Sequence, residues 1–306
     1  MIYTLTLNPA VDYYMETAGE LKQNNVNRGK NERFKAAGKG LNASRDLSIM
    51  SIPSYAVAVL AGFTGAYIQD SFKDYPFIRL VPVKAHGNNR VNLKMYSEGE
   101  LTEVNGEGPY ADEFIRNDIL RAFEETSKDD TVLICGSLIR GFNAMLVQEL
   151  CEELHERGTT VVLDSVQLSL QQLCDCRPQL VRLTEKELGA LLNMDVTAEN
   201  AKEALVKIRE TGLTNILLTI DSNDAALMIG EQMYCLSHPK CRPVNKVGAG
   251  DALLAAYIGK RTQGVEPADA LRWAGAMANA VASTMDETTL DEVMNRFDET
   301  KVISIA

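Results

Sequence analysis

Cysteine and histidine are too few and too scattered in this chain to build a zinc site or a disulfide framework. The six cysteines (Cys135, Cys151, Cys174, Cys176, Cys235, Cys241) contain no CxxC pair, and only three histidines accompany them. Positive charge is also short: 31 Lys and Arg stand against 42 Asp and Glu, for a net charge of -11. That balance argues against a nucleic-acid surface and against anionic membranes as partners. No long apolar run and no basic leader are visible. The opening Met-Ile-Tyr-Thr-Leu-Thr-Leu reads as a strand, so the expectation is no membrane span, no signal peptide and a reducing cytoplasm. The pattern Gly-x-x-x-x-Gly-Lys-Ser/Thr does not occur, which excludes a P-loop nucleotide site.

What is present fits a large α/β body. The chain has 306 residues, 45% hydrophobic and 24% charged, ordinary values for a globular protein. From residue 110 onward strand-like and helix-like segments alternate: helix 112–125 and strand 131–135, helix 143–156 and strand 159–163, strand 180–183 and helix 185–192, helix 198–211 and strand 215–220. Such alternation predicts a mostly parallel central sheet with crossover helices on both faces. Segments 225–229 and 232–236 read as an antiparallel edge hairpin, and 249–261, 267–284 and 290–297 as helices. The first third differs. Short strands crowd together at 2–7, 55–60, 77–83, 90–96 and 101–104, with a loop at 62–65, a helix at 66–73 and a polar excursion at 16–35. The expected organisation is one domain over 1–306 with a small β-rich lid drawn from about 10–35 and 84–106.

Late in the chain Asn245-Lys246-Val247-Gly248-Ala249-Gly250-Asp251-Ala252 runs straight into Leu253-Leu254-Ala255-Ala256-Tyr257-Ile258, where Leu253, Leu254, Tyr257 and Ile258 share one helical face. A Gly-Ala-Gly turn feeding a helix presents unpaired N–H groups and the positive end of the helix dipole, a seat for an anion. Asp251 at that seat would repel an anion unless it takes a proton from an attacking hydroxyl. Read alone, the octapeptide is more simply a tight turn with an acidic first-turn residue. Gly38-Lys39-Gly40-Leu41-Asn42-Ala43 formally fits G-x-G-x-x-A, but with no strand expected directly before it and no acidic residue placed about 20 positions on, a dinucleotide site is rejected.

Asn8-Pro9-Ala10-Val11-Asp12, Ala37-Gly38-Lys39-Gly40-Leu41-Asn42, Arg90-Val91-Asn92-Leu93-Lys94, Thr102-Glu103-Val104-Asn105, Gly136-Ser137-Leu138 and Val247-Gly248-Ala249-Gly250-Asp251 occur in one order across the whole chain. In that order and spacing the chain resembles the ribokinase-like (PfkB) carbohydrate kinases, most of all the branch with 1-phosphofructokinase and tagatose-6-phosphate kinase activities. The resemblance implies a magnesium-dependent transfer from ATP to a ketohexose phosphate. Fructose 1-phosphate is the first expectation, tagatose 6-phosphate the second, and a non-catalytic phosphosugar-binding protein the reading of another class. It assigns the base to Asp251 and the anion hole to Gly248, Ala249 and Gly250. Sugar hydroxyls fall to Asp12, Gly38 and Asn42, because carboxylate, amide and backbone groups suit a hydroxyl that donates and accepts. The substrate phosphate falls to Lys39, Arg90, Ser137 and, from the lid, Arg28. Arg90 is the best placed of the cations for its planar, bidentate geometry. A homodimer through the lid is the implied assembly, in which Arg28 would serve a partner's site.

The nucleotide side, assigned by the same resemblance to Thr184, Glu187 (with Mg²⁺ held through water), Thr219, Asp221 and Lys246, departs from the family pattern. Ala37 replaces a glycine, Ile139-Arg140 a Pro-Pro, Thr184 the asparagine of Asn-x-x-Glu, Asp221 and Asp224 two glycines, and Lys246 a Thr or Ser. Asp221 beside a polyphosphate would repel it, and Lys246 is expected to supply the compensating charge.

Overall fold

The computed structural model describes residues 1–164, 167–220, 224–237, 244, 247–285 and 287–305. The elements are β1 (Ile2–Thr6), β2 (Ala10–Thr17), β3 (Gly29–Ala37), α1 (Lys39–Ile49), β4 (Ser54–Ala61), α2 (Gly62–Ser71), β5 (Ile78–Ala85), β6 (Arg90–Ser97), β7 (Glu100–Asn105), α3 (Glu113–Arg121), β8 (Thr131–Cys135), α4 (Ala144–Glu156), β9 (Thr160–Asp164) and α5 (Leu170–Asp175). They continue with β10 (Leu180–Thr184), α6 (Glu185–Leu192), α7 (Ala201–Arg209), β11 (Asn215–Ile220), β12 (Asp224–Ile229), β13 (Gln232–Ser237), α8 (Ala249–Thr262), α9 (Pro267–Ala282), α10 (Leu290–Glu299) and β14 (Lys301–Ser304).

Ten strands form one sheet in the order β14-β13-β12-β11-β10-β9-β8-β1-β4-β5. The seven from β11 to β5 pair in parallel, and β12, β13 and β14 close one side antiparallel. Central strands are apolar without alternation (Thr-Val-Leu-Ile-Cys in β8, all buried) because helices cover both faces. Ile216 and Leu218 point into the core packed by α3, α4, α6 and α7, while Leu217 between them points into the core under α1, α8 and α9. The chain leaves β1 toward β4 and β5, then returns to the other flank of β1 with β8. That reversal opens a crevice at the carboxyl ends of β1 and β8, where open α/β sheets seat ligands.

The second sheet has the order β3-β2-β6-β7. Its register sets Asp12 opposite Lys35 and Asn92, and Tyr14 opposite Arg33 and Lys94, so these side chains share the face toward the body. The other face carries Tyr13 stacked on Phe34 at 4.5 Å between ring centroids, with Phe34, Val91 and Val104 exposed.

Four expectations need correction. Residues 62–65 begin α2 rather than forming a loop. Gly65 sits where a Cβ would lie 2.9 Å from Asn89 Oδ1 and 3.0 Å from the Leu60 carbonyl carbon, so this glycine serves packing and breaks nothing. Only the ends of the 16–35 excursion lie in strands, 16–17 in β2 and 29–35 in β3. A strand, β3, does directly precede Gly38, but it belongs to the small sheet, so no parallel βαβ unit forms there and the dinucleotide motif fails for that reason. Finally, α8 is not one-faced: every residue from Asp251 to Gly259 is buried, because Ala252, Ala255 and Ala256 pack where polar residues would otherwise face water.

Candidate active site

Gly248 caps α8 in the left-handed region at φ 90°, and no side chain supplies a capping bond there. The first N–H groups of α8 therefore face outward beside Asp251, which is 6% exposed. Two residues of α1 hold that carboxylate. Asn42 Nδ2 donates to Oδ2 at 2.8 Å, and Lys39 Nζ stands 3.4 Å from Oδ1. α1 can start this close to β1 because of Gly40, where a Cβ would meet Thr6 Oγ1 at 2.6 Å and the Leu5 carbonyl oxygen at 2.8 Å.

Behind Lys39 lies a second carboxylate, Asp164, at the carboxyl end of β9 and 1% exposed. Lys39 Nζ is 3.8 Å from its Oδ2, and Arg182 Nη1 donates to its Oδ1 at 3.0 Å. Arg182 Nη2 reaches Thr219 Oγ1, also at 3.0 Å. Two cations and two carboxylates thus interlock, Asp164, Arg182 and Asp251 buried and Lys39 partly open to the cleft. Burial pushes the Lys39 ammonium down, but Asp251 and Asp164 together outweigh it and hold it above the usual lysine range.

A cleft of about 390 Å³ joins residues from both predicted halves of the site: Gly38, Lys39, Arg90 and Ser137 on one side, Thr184 and Glu187 on the other, with Arg182 and Gln167 between. Arg90 opens β6, and its Nε is buried with no hydrogen-bond partner among the described residues. Burial lowers its pKa while Asp12 pulls the other way. A guanidinium in that state is ready for an anion from outside the protein. Asp12 is buried too; desolvation raises its pKa, and the Asn92 Nδ2 bond at 2.8 Å and nearby Lys94 only partly offset this. Lys94 is paired with Glu103 at 2.8 Å.

A smaller cavity of about 70 Å³ is lined by Asp12, Asn42, Lys35, Arg45, Asp46, Gly248 and Glu287. Asp46 there is buried, and burial drives its carboxyl well above the usual range, with Asp251 adding to the rise and Arg45 and Lys35 opposing it.

Thr184 and Glu187 form a capping box at the start of α6. Glu187 Oε2 accepts from Thr184 N at 2.8 Å and Thr184 Oγ1 at 2.9 Å, and Glu187 N donates to Thr184 Oγ1. Oε2 is therefore committed to the helix, and Glu187 also lines the cleft. The described residues contain no group of three or more His, Cys, Asp or Glu arranged to hold a metal ion.

Arg28 is not brought here: it sits exposed in the turn between β2 and β3, its carbonyl accepting from Ala18 N at 3.1 Å. Asp221 and Lys246, and with them the compensating pair, lie outside the described residues; Asp224 opens β12. Sequence reasoning missed Asp164, Arg182, Arg45 and Asp46. The signal was legible, since Asp164 follows Val-Val-Leu and Arg182 interrupts Leu-Val-x-Leu, and a charge in an apolar strand is buried only with a partner.

A carboxylate at an open helix N-terminus, backed by two cations in a crevice at a sheet's switch point, fits a phosphotransferase acting on a hydroxyl. The chain matches the pfkB family carbohydrate kinase model over residues 5–292 and belongs to that family. It is 28% identical over 303 residues to 1-phosphofructokinase of Bacillus subtilis (strain 168), covering 99% of both chains. It is likewise 28% identical over 306 residues to D-tagatose-1-phosphate kinase of Klebsiella oxytoca, covering 100% of both. Among solved structures, phosphofructokinase-2 from Escherichia coli in complex with fructose-6-phosphate superposes with a TM-score of 0.88 at 22% identity, over 97% of this chain and 98% of that one. The chain is a kinase of sugar hydroxyls, with ATP as co-substrate. No helix among the described residues is long and apolar enough to cross a membrane.

Proposed function

We propose that this kinase moves the γ-phosphoryl of ATP to a hydroxyl of a ketohexose 1-phosphate, fructose 1-phosphate first, giving fructose 1,6-bisphosphate in the cytoplasm. The observation that carries the reading is Asp251 at the mouth of α8, held on Oδ2 by Asn42 and facing Lys39 with Oδ1. Asp251 accepts the hydroxyl proton as the new O–P bond forms and the bond to the β-phosphate breaks, releasing ADP. Backbone groups of Gly248, Ala249 and Gly250, with Lys39 and Arg182, stabilise the charge on the phosphoryl in transit. Asp12, Gly38 and Asn42 orient sugar hydroxyls. Arg90, with its unpartnered buried Nε, and Ser137 take the substrate phosphate.

Thr184, Thr219 and Glu187 border the nucleotide, with Asp221 and Lys246 assigned there by family position. The single free oxygen of Glu187 fits Mg²⁺ that arrives with ATP and is held through water, not an ion caged by protein. Such an ion neutralises phosphate oxygens when bound.

Two relatives of equal identity carry names that place a phosphate at position 1 of a ketohexose, which favours that position over 6 and makes D-tagatose 1-phosphate the second acceptor. A coupled ADP-release assay over free ketohexoses and their 1- and 6-phosphates tests the reading. Turnover is expected to be highest with fructose 1-phosphate. No turnover with any acceptor, while one phosphosugar still raises the melting temperature, would leave a binding protein instead.

The small sheet serves in this proposal as a lid whose exposed face, with Phe34, Val91 and Val104, joins two copies, and Arg28 on its turn works across that junction. Val104→Glu is expected to halve the sedimentation mass. A wild-type protein that already sediments as one chain would end the dimer proposal.

A further inference from the structure

The carboxylate of Asp251 is held by an asparagine amide, and an amide has two orientations that differ only by exchange of its oxygen and nitrogen. Only one of them presents a donor to Asp251. The carboxylate favours the NH₂ on its side, and the neighbour at the other end of the amide either reinforces or opposes that choice. That neighbour is Arg45, one turn on along α1, whose Nη1 donates to Asn42 Oδ1 at 3.3 Å. A guanidinium has donors and no acceptor, so it pairs with the oxygen of the amide and rejects its NH₂. With the oxygen so engaged, the NH₂ faces Asp251 Oδ2 at 2.8 Å. In the reversed amide both contacts would fail at once, NH₂ against guanidinium and oxygen against carboxylate.

We propose that Arg45 is a positioning residue for the transfer reaction. It locks the Asn42 amide so that Asn42 occupies Oδ2 of Asp251 and leaves Oδ1 to receive the acceptor hydroxyl's proton. This rests on the reading of Asp251 as base. Arg45 is itself immobilised: it is 9% exposed, Nη2 donates to the Ala36 carbonyl at 3.0 Å, and its guanidinium lies 5.0 Å from the Phe72 ring and 5.7 Å from the Tyr75 ring. Ala36 is the next-to-last residue of β3 in the small sheet, so the orientation of the base's partner is tied to the seating of that sheet on the body.

The test is a kinetic cycle on the intact protein with ATP and the best phosphosugar. Arg45→Met keeps the apolar stem and removes the donors. It is expected to lower kcat about tenfold or more while KM for both substrates stays within roughly threefold. Arg45→Lys, which restores a donor and a charge, is expected to recover most of that loss. In an Asn42→Ala background Arg45→Met is expected to cost nothing further in kcat, because its route to Asp251 is already gone. If Arg45 only supports the fold, the same factor is lost in both backgrounds and Arg45→Lys recovers melting temperature without kcat; either result overturns the proposal. Should Arg45→Met not fold, Arg45→Gln takes its place in the cycle. Its amide NH₂ can still face Asn42 Oδ1, so near wild-type kcat supports the lock, and a loss unchanged in the Asn42→Ala background overturns it. Asp251→Asn keeps the two readings apart: normal turnover there removes the base, whereas lost turnover there with unimpaired Arg45→Met removes only the positioning role.

Discussion

Asp251→Asn is expected to lower kcat by about 10³ and to leave phosphosugar binding in place. The substitution is nearly isosteric and removes the negative charge together with the capacity to accept a proton. Its surroundings tolerate it. Asn42 Nδ2 can still donate to the new amide oxygen, and Lys39, whose side chain is 34% exposed, retains Asp164 at 3.8 Å and access to water. No deeply buried charge is orphaned by the change, so the loss is chemical and not structural. Two measurements check it together: steady-state ADP release, and the rise in melting temperature on adding the phosphosugar. A variant that keeps kcat within tenfold of wild type would remove Asp251 from proton transfer. One that loses both turnover and the thermal shift would instead place Asp251 in substrate binding.

Much of this site could be read before any coordinates, and the part that could not has a physical cause. The parallel body announces itself because helices on both faces demand apolar strands separated by helical segments, as in the run from β8 to β11. Gly248, Gly38, Lys39, Asn42, Arg90 and Asp251 were singled out by order along the chain; Gly38, Lys39 and Arg90 line one cavity, Asn42 and Gly248 another, and Asp251 is bonded to Asn42 and faces Lys39. Hidden from a linear reading was everything set by contact across elements. Thr184-Glu185-Lys186-Glu187 read as a damaged nucleotide motif, whereas it closes as a capping box, a signature with its own meaning in sequence. Arg182 and Asp164 come from strands β10 and β9, which lie side by side in the sheet, and only that pairing explains why either charge is buried. Glycines misled for a related reason. Those at 62 and 65 suggested a break, yet Gly65 is a helix residue made small by what packs on it.

The same reasoning, turned on the motif at the mouth of α8, gives a prediction that a phosphate-only account would not. Gly250 is usually explained by the need of a phosphate to approach the backbone. Here a Cβ at position 250 would collide with the Arg182 guanidinium, overlapping Nη2 and lying 2.7 Å from Cζ. Arg182 cannot easily withdraw, because Nη1 is bonded to Asp164, Nη2 to Thr219, and its side chain is 6% exposed. Gly250→Ala must therefore push α8 outward or break the Arg182 bonds. It is expected to destabilise the fold by ~1–3 kcal/mol, as overpacking does. It should also lower kcat/KM for ATP by about 10²-fold, the scale of an ångström-sized misplacement near the reacting atoms. The cause can be isolated. In an Arg182→Ala background the added methyl has room, so Gly250→Ala should bring no further loss in the urea midpoint even though that background is itself impaired. If the methyl costs the same stability with or without the arginine, the collision is not with Arg182. If Gly250→Ala turns over ATP like the wild type, the guanidinium is not held against α8 during catalysis, and Arg182 leaves the list of cations that meet the transferring phosphoryl.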